Sequence, residues 1–472
     1  DVGYIESDNE NNSSNNLNSS PKVRAPEFSY VFKNFNEFYN IETDKFVING
    51  SLAKGGLSNA WSALVSSFDN DEFAEYPFER KDIIKSYNSV AKRIGISGEN
   101  SGDLLDWLGN DYFKLANLPI HPLVNKLLKN YEIKKLKFKD FDIKMGRHNQ
   151  AILSTNYNDR SAYSQSSMNG YKDSSGAQYN AADEVSALKK FENFKYINNL
   201  FVEEVIDENS KCTTIAKNIK KNSYDKFYSK IIILAAGTIG STKLALKLNK
   251  HFNEPITLKN TPMYPFALLF PREFGRKKTY KSFSYWHMSY YLQLENLSKR
   301  HKIYGHITTT DGINNSELSD RIPLPYPLNN LLSNFLWPKM LLGTCIFPGY
   351  FSQNKIELKK NNILNIKGNT SNEYLKYVKI TKKTLSKIFR KLGAIMLSSS
   401  TLPTLGVDSH YASSMPMKEN PNKMETNMNG LIGGKGNIYC VDGAVLSELP
   451  AKSHTFTIMA NADRISKSIL QV

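Results

Sequence analysis

The chain has 472 residues, which is enough for two or more domains and a sizeable core. Hydrophobic residues make up 40% and aromatic residues 12% of it, as in a folded globular protein. The net charge of +16 raises affinity for polyanions, but the lysines are spread along the chain, so a lysine-rich composition explains the charge without a dedicated polyanion site. The cysteines Cys212, Cys345 and Cys440 are far apart and odd in number, which excludes a disulfide framework or metal-ligand spacing and fits a reducing compartment.

Two N-terminal stretches differ in what they predict. Residues 7–22 are polar and of low complexity, which is typical of a surface loop. Gly50–Ala63 reads GSLAKGGLSNAWSA, where Gly55 and Gly56 let the backbone approach a ligand and Ser58 and Asn59 offer hydrogen-bond donors. An ordinary turn is the alternative interpretation of this glycine pair.

The segment Phe194–Ala245 carries the next pattern. Tyr196–Val205 is typical of a strand and includes Val202. Lys230–Gly240, KIIILAAGTIG, is a short apolar run that ends in Ala235, Ala236 and Gly237, which predicts a buried parallel strand leading into a tight turn.

Residues 258–396 favour an antiparallel sheet followed by a helix. Strands are predicted over Pro265–Pro271, Lys281–Leu294 and Lys302–Thr310, a hairpin over Ile356–Gly368, and a basic amphipathic helix over Lys376–Met396. The apolar stretch Leu331–Phe351 is interrupted by Pro338 and Lys339, so we expect a buried helix plus loop, with a membrane-surface patch or an apolar substrate entrance as the alternative.

The C-terminal stretches carry two histidines. Leu405–Met417, LGVDSHYASSMPM, holds His410. Gly436–Val441 predicts a strand, Asp442 and Gly443 a turn, and the spacing of apolar residues from Thr455 an amphipathic helix whose N-terminus follows His454. A helix N-terminus carries partial positive charge and free N–H groups, so it suits an anion or an electron-rich ring. His148, without a partner at useful spacing, is expected to be structural or exposed.

The order of these motifs resembles that of the glucose–methanol–choline (GMC) flavoprotein oxidoreductases. In that family a strand ending in Asp-Gly leads through a loop with a catalytic histidine into a helix that points at the flavin. The resemblance implies that His410 and His454 are catalytic, with His410 as the base, and that no metal takes part. It assigns cofactor binding to Asp1, Gly3, Gly55, Gly56, Ser58, Asn59, Val202, Ala235, Ala236, Gly237, Asp442, Gly443, Thr455 and Phe456. Ala60 stands where pyranose oxidases carry the histidine that bonds covalently to flavin, so non-covalent FAD is expected.

The resemblance implies an α/β fold with two parts. A Rossmann-like FAD-binding domain would span residues 1–80, 190–250 and 430–472, and an α+β substrate domain built on an antiparallel sheet would span 81–189 and 251–429. The sequence holds no G-x-G-x-x-G motif. We therefore expect an N-terminal truncation, in which a first strand, turn and helix of roughly thirty residues would precede Asp1.

The implied function is oxidation of a CH–OH group of a sugar or glycan-like alcohol by hydride transfer to FAD. The partners expected are that small-molecule or glycan substrate and an unknown electron acceptor, without nucleic acid. The expected location is cytoplasmic, since no secretory signal opens the sequence, with possible peripheral contact to the inner face of the membrane through residues 331–351. The alternative is a non-catalytic relative that lost its pyrophosphate loop and acts as a binding or scaffold protein.

Overall fold

The computed structural model describes residues 26–164, 173, 175–208, 211–275, 285–311, 324–398 and 401–470. Asp1, Gly3 and the polar segment 7–22 lie outside these residues. The α-helices are α1 (Ser29–Phe32), α2 (Phe35–Phe38), α3 (Lys81–Ile94), α4 (Leu105–Leu108), α5 (Pro122–Lys134), α6 (Ala181–Leu188), α7 (Gly237–Leu248), α8 (Tyr326–Leu336), α9 (Tyr374–Leu392) and α10 (Thr455–Ile469). Short 3₁₀ turns include Gly56–Asn59, Pro271–Glu273 and Gly443–Val445.

The strands form several separate sheets. They are β1 (Ile41–Asp44), β2 (Leu64–Val65), β3 (Ile143–Arg147), β4 (Asn149–Gln150), β5 (Leu200–Asp207), β6 (Cys212–Asn218), β7 (Ser223–Ser229), β8 (Ile232–Leu234), β9 (Ile256–Asn260), β10 (Met263–Leu269), β11 (Trp286–Leu292), β12 (Ile303–Thr309), β13 (Met340–Ile346), β14 (Asn354–Leu358), β15 (Leu364–Lys367), β16 (Ile395–Ser398), β17 (Tyr411–Ala412) and β18 (Ile438–Cys440). β5, β6 and β7 form an antiparallel sheet of their own. The strand predicted at Tyr196–Val205 overlaps β5.

The largest described sheet is antiparallel, with the order β16-β10-β13-β12-β11-β3. Successive side chains of a strand point to opposite faces, so β12 sends Ile303 and Ile307 to one side and Tyr304 and His306 to the other. The first side forms an apolar core with α5 and α9. The second side carries polar groups and faces the rest of the molecule, so one face of this sheet is available to line a site.

A second sheet, with the order β1-β15-β14-β9-β17, places the segment around His410. β14 and β15 form the predicted hairpin and pair antiparallel. β17 pairs antiparallel with β9, with Tyr411 opposite Asn260. This register sets His410, one residue before Tyr411, beside Thr261.

The strands β8 and β18 pair in parallel, with Leu234 opposite Cys440. The carboxyl ends of parallel strands meet at one edge, so the turn after β8 and the turn after β18 lie side by side. This pair confirms the parallel strand predicted at Lys230–Gly240. A mixed α/β architecture is thus shown, whereas a complete Rossmann sheet is not.

The buried apolar residues form two main cores. One lies between the large sheet and the helices α5 and α9. The other joins α3, α7, α10 and the smaller sheets, and in it Phe456 of α10 packs on Tyr87 of α3 with ring centroids 4.9 Å apart. The predicted domain boundaries stay a prediction.

The apolar stretch Leu331–Phe351 divides into two parts of different burial. Met340–Ile346 is strand β13 in the interior of the large sheet, where a loop was expected. The preceding helix α8 keeps Leu328, Leu331 and Phe335 exposed. In the described part of the chain, every helix is too short or too polar to cross a membrane.

Candidate active site

His410 and His454 come from segments far apart in the sequence and meet in the structure. Their ring centroids lie 4.8 Å apart, and the ring planes are nearly perpendicular, at 86°. His410 is half-buried just before β17, and His454 is buried just before α10. The two imidazoles are therefore close enough to act on the same small group.

His410 is held by neighbours on β9 and on its own turn. Its Nδ1 lies 2.9 Å from Thr261 Oγ1, and Thr261 Oγ1 lies 2.8 Å from Asp408 Oδ2. Burial lowers the pKa of His410, and the nearby Asp408 opposes that change. The imidazole is therefore neutral at pH 7 and available as a base.

His454 occupies the position before the first turn of α10. Its carbonyl accepts the first helical bond, from Ile458 N, at 2.9 Å. Its Nδ1 is buried and has no hydrogen-bond partner within the described residues. Burial lowers the pKa of His454 well below its usual value, and His410 adds to this. A neutral, unsatisfied ring at a helix N-terminus can contact a ligand without first breaking another bond.

The polar face of the large sheet adds two further histidines that sequence reasoning did not assign to the site. His306 is buried and stacks edge-on against Trp286 with ring centroids 4.0 Å apart, and its Nδ1 has no partner among the described residues. Burial lowers the pKa of His306 well below its usual value, and His148 and His410 lower it further. His148, expected to be structural or exposed for lack of a partner, is buried, and its ring has partners: Nδ1 lies 2.8 Å from Ser289 Oγ and 3.0 Å from Tyr304 Oη.

The two turns at the end of the parallel strand pair are joined by side chains. Ser241 on α7 donates to Asp442 Oδ2, and Asp442 Oδ1 accepts from Ala444 N at 3.0 Å. Burial raises the pKa of Asp442, while these donors lower it. Ala235, Ala236 and Gly237 are exposed here, and Gly237 has a φ of +76° with open space where a Cβ would lie. A ligand backbone or ring can therefore approach this edge closely.

The glycine loop lies against the start of α6. Gly55 and Gly56 have positive φ values of +85° and +59°, and a Cβ at Gly55 would collide with the backbone of Ala182. The side-chain donors of Ser58 and Asn59 are already used within the protein: Ser58 Oγ donates to Gly55 O at 2.6 Å, and Asn59 Nδ2 donates to Gly56 O at 2.7 Å. Flavin binding through these side chains stays a prediction, and it would require those bonds to be exchanged.

The other residues predicted to bind the cofactor differ in how accessible they are to a ligand. Val202 is half-buried in β5 opposite Ala216. Gly443 is buried behind Tyr411 and Thr238, so a Cβ there would meet both. Phe456 points into the core, which leaves only its backbone N–H, with that of Thr455, for a ligand at the helix N-terminus.

A buried ion-pair network supports the loop before His454. Lys452 is fully buried, and its Nζ lies 2.8 Å from Glu72 Oε2 and 3.1 Å from Ser67 O. Burial raises the pKa of Glu72 to about 7, although Lys452 opposes the rise. Ser66 Oγ also donates to Ser453 O at 3.3 Å. The segment 66–72 thus fixes the backbone that presents His454.

Comparison with known proteins adds information on the fold. An FAD-dependent oxidoreductase from Chaetomium thermophilum, solved in complex with a small-molecule fragment, superposes with a TM-score of 0.54 at 12% sequence identity. The match covers 90% of this chain and 87% of that one. No protein-family model and no curated protein matches the sequence. The chain therefore has the fold of an FAD-dependent oxidoreductase.

The residues present fit a flavin dinucleotide at this position. Two buried polar atoms have no partner among the described residues: Ser413 Oγ, on the residue whose backbone N–H donates to Gly443 O at 3.0 Å, and His454 Nδ1, at the start of α10. Leaving such atoms unsatisfied costs about 1–3 kcal/mol each, so a ligand that bonds to them gains affinity. The α10 N-terminus and the open Gly237 turn provide N–H groups and space for a ring and a linker.

Proposed function

We propose that the protein is a GMC-type flavoprotein that oxidises a CH–OH group of a sugar or glycan-like alcohol, with non-covalent FAD and His410 as the base. The observation that carries this proposal is the pair of neutral imidazoles, 4.8 Å apart, next to the N-terminus of α10. The fold match to an FAD-dependent oxidoreductase supports the choice of cofactor.

The two histidines have different roles in alcohol oxidation. Removal of the hydroxyl proton requires a base that is neutral near pH 7, which the lowered pKa of His410 provides. His454 holds the substrate oxygen by a hydrogen bond and shares the negative charge that develops on it. Two close imidazoles resist joint protonation, so one remains available. FAD, when bound, supplies the hydride acceptor for the carbinol carbon.

The polar face of the large sheet supports a hydroxyl-rich substrate. Tyr304 and His306 point to this face of β12, and Ser289 is directly opposite His306 in the β11–β12 register. Two lysines in this part of the molecule are already paired: buried Lys452 with Glu72, and half-buried Lys302 with Asp69 at 3.2 Å. Neutral hydrogen-bonding groups and paired cations favour an uncharged alcohol over a phosphorylated or acidic one.

The nucleotide end of FAD is expected at the open edge of β8. In the described residues β8 pairs only with β18, and Ile231 and Ile233 are exposed beside it.

The test is anaerobic reduction of the flavin-loaded protein by a panel of aldoses, polyols and simple alcohols. The proposal predicts bound FAD and bleaching of its visible absorbance by at least one sugar or polyol. A loaded protein that no member of the panel reduces would contradict the alcohol-oxidising function.

The second candidate, a non-catalytic binding or scaffold protein, is favoured by one specific feature. The Ser58 and Asn59 side chains are satisfied within the protein, as a loop that no longer meets a flavin would be. Under this alternative, the protein would contain no flavin after purification and would take up none from solution.

We also propose peripheral contact with anionic membranes, through α8 (Tyr326–Leu336), which overlaps only the first part of the predicted segment 331–351. Leu328, Leu331 and Phe335 form an exposed apolar stripe at helical spacing. Leu269 pairs with both Ile395, which follows α9, and Met340, which follows α8, so these helix ends lie at the same end of the sheet. The exposed cations on that part of α9 are Lys383, Lys387, Arg390 and Lys391. Apolar and basic groups together favour an anionic lipid surface.

A further inference from the structure

The hydrogen bonds behind His410 form a chain in which each donor can be assigned. Its first member is a backbone N–H, which can only donate: Asn369 N donates to Asn354 Oδ1 at 3.0 Å. This fixes the Asn354 amide, whose Nδ2 donates to Asn260 Oδ1 at 2.8 Å. The Asn260 amide is fixed in turn, and its Nδ2 donates to Asp408 Oδ1 at 3.1 Å. The amide orientations in this chain thus follow from a group that has no alternative role.

The carboxylate at the end of this chain receives two more hydrogens, both from Thr261. Its Oδ2 lies 3.0 Å from Thr261 N and 2.8 Å from Thr261 Oγ1. With donors on both oxygens, Asp408 is held as an acceptor, although burial raises its pKa. The single hydroxyl hydrogen of Thr261 is therefore directed to Asp408 and not to His410.

The remaining bond then defines the proton on the histidine. Thr261 Oγ1 lies 2.9 Å from His410 Nδ1, and with its hydrogen committed it can only accept from that nitrogen. We propose that Asp408 and Thr261 are positioning residues that keep the proton of His410 on Nδ1 and so leave the lone pair on Nε2 for the substrate. This inference rests on the proposed function for its catalytic meaning, but the tautomer can be measured without it.

The hydrogen bonds from His410 through Thr261 to Asp408 also stabilise the positive charge that His410 gains when it acts as a base. When Nε2 takes a proton, the ring becomes an imidazolium whose Nδ1–H still points to Thr261 and, through it, to the carboxylate of Asp408. A carboxylate near a new positive charge stabilises it, which raises the proton affinity of the base during the reaction. Loss of the Thr261 hydroxyl would remove the acceptor that orients the His410 ring and the hydrogen-bonded link from that ring to Asp408.

The decisive experiment is ¹⁵N NMR of the full chain labelled at histidine, in which the two ring nitrogens of each tautomer have distinct shifts. His410→Gln assigns the signals by their loss. Thr261→Ser, which keeps the hydroxyl, is the matched control for Thr261→Val, which removes it. We expect the Nδ1–H tautomer in the wild type and in Thr261→Ser, and a loss of that preference in Thr261→Val.

Flavin reduction provides the second readout. In loaded protein the rate constant should fall about 10²-fold or more in Thr261→Val and change little in Thr261→Ser, as expected for a misoriented general base. A wild-type His410 protonated on Nε2, or a Thr261→Val variant with an unchanged tautomer, would overturn the inference. If Thr261→Val does not fold, the wild-type tautomer alone decides. The proposed function fails separately, if no alcohol reduces the flavin while the Nδ1–H signal is present.

Discussion

Two buried histidines have pKa values in the folded protein that differ from those in the unfolded chain. Burial lowers the pKa of His148 from 6.5 to about 3 and that of His301 to about 4. A group with a lowered folded-state pKa binds more protons when unfolded, so its contribution to stability is complete above pH 6.5 and is lost as the pH falls toward the folded value. Each pH unit in this window costs about 1.4 kcal/mol per group.

We predict that His148→Gln makes the free energy of unfolding less sensitive to acid. Gln keeps hydrogen-bonding groups for Ser289 and Tyr304 but does not titrate. Between pH 7 and pH 5 the wild type should lose about 2 kcal/mol more than the variant, because His148 spans about 1.5 units of that window below its unfolded pKa. Urea unfolding at the two pH values measures the difference. An identical loss in both proteins would show that His148 is not held neutral.

The Lys452–Glu72 pair gives a second residue-scale prediction. Lys452→Met leaves the Glu72 carboxylate buried without its closest cation, which should cost about 3–5 kcal/mol in the free energy of unfolding. Adding Glu72→Gln should recover part of this loss, because the charge that needed the partner is gone. Denaturant midpoints for the wild type and the single and double variants test it. Additive losses would argue against coupling between the two side chains.

At the scale of elements, the exposed stripe of α8 can be tested directly. Leu331→Glu combined with Phe335→Glu should abolish sedimentation with vesicles that contain phosphatidylserine, since charges replace the inserting groups. Ile219→Glu, at a similarly exposed site in the turn between β6 and β7, is the control and should leave binding unchanged. Equal binding by the double variant and the control would refute the membrane contact.

Several elements could be predicted from sequence because their signals are local. The helix at Lys376–Met396 and the hairpin at Ile356–Gly368 appear as α9 and as β14 with β15, since periodicity and turn residues define both. The sequence predicts a loop where the structure has β13, because a short apolar run has no period that distinguishes a strand from other buried structure. Its pairing partners β10 and β12, distant in the sequence, decide its conformation.

The partners of the two histidines could not be predicted in the same way. Asp408 stands two residues before His410 and is visible in the sequence, but its role depends on Thr261. That contact follows from the register of β17 on β9, which links positions about 150 residues apart and leaves no local signal. The glycine loop Gly55–Asn59 differs, because its sequence motif is local and visible. The hydrogen bonds of Ser58 and Asn59 within the loop, however, could be seen only in the structure.

At the scale of the whole molecule, the structure unites separate motifs in one place. A parallel strand pair, a helix N-terminus and the polar face of an antiparallel sheet converge on His410 and His454. We propose that these two imidazoles act together on one alcohol beside a flavin.

The most direct measurement is the rate constant of flavin reduction by the best sugar or polyol, compared among His410→Gln, His454→Gln and the surface control His251→Gln. We predict that all three variants bind FAD, that the control reduces it at the wild-type rate, and that each of the first two is slower by about 10²-fold or more. Wild-type rates in both His410→Gln and His454→Gln would contradict the account.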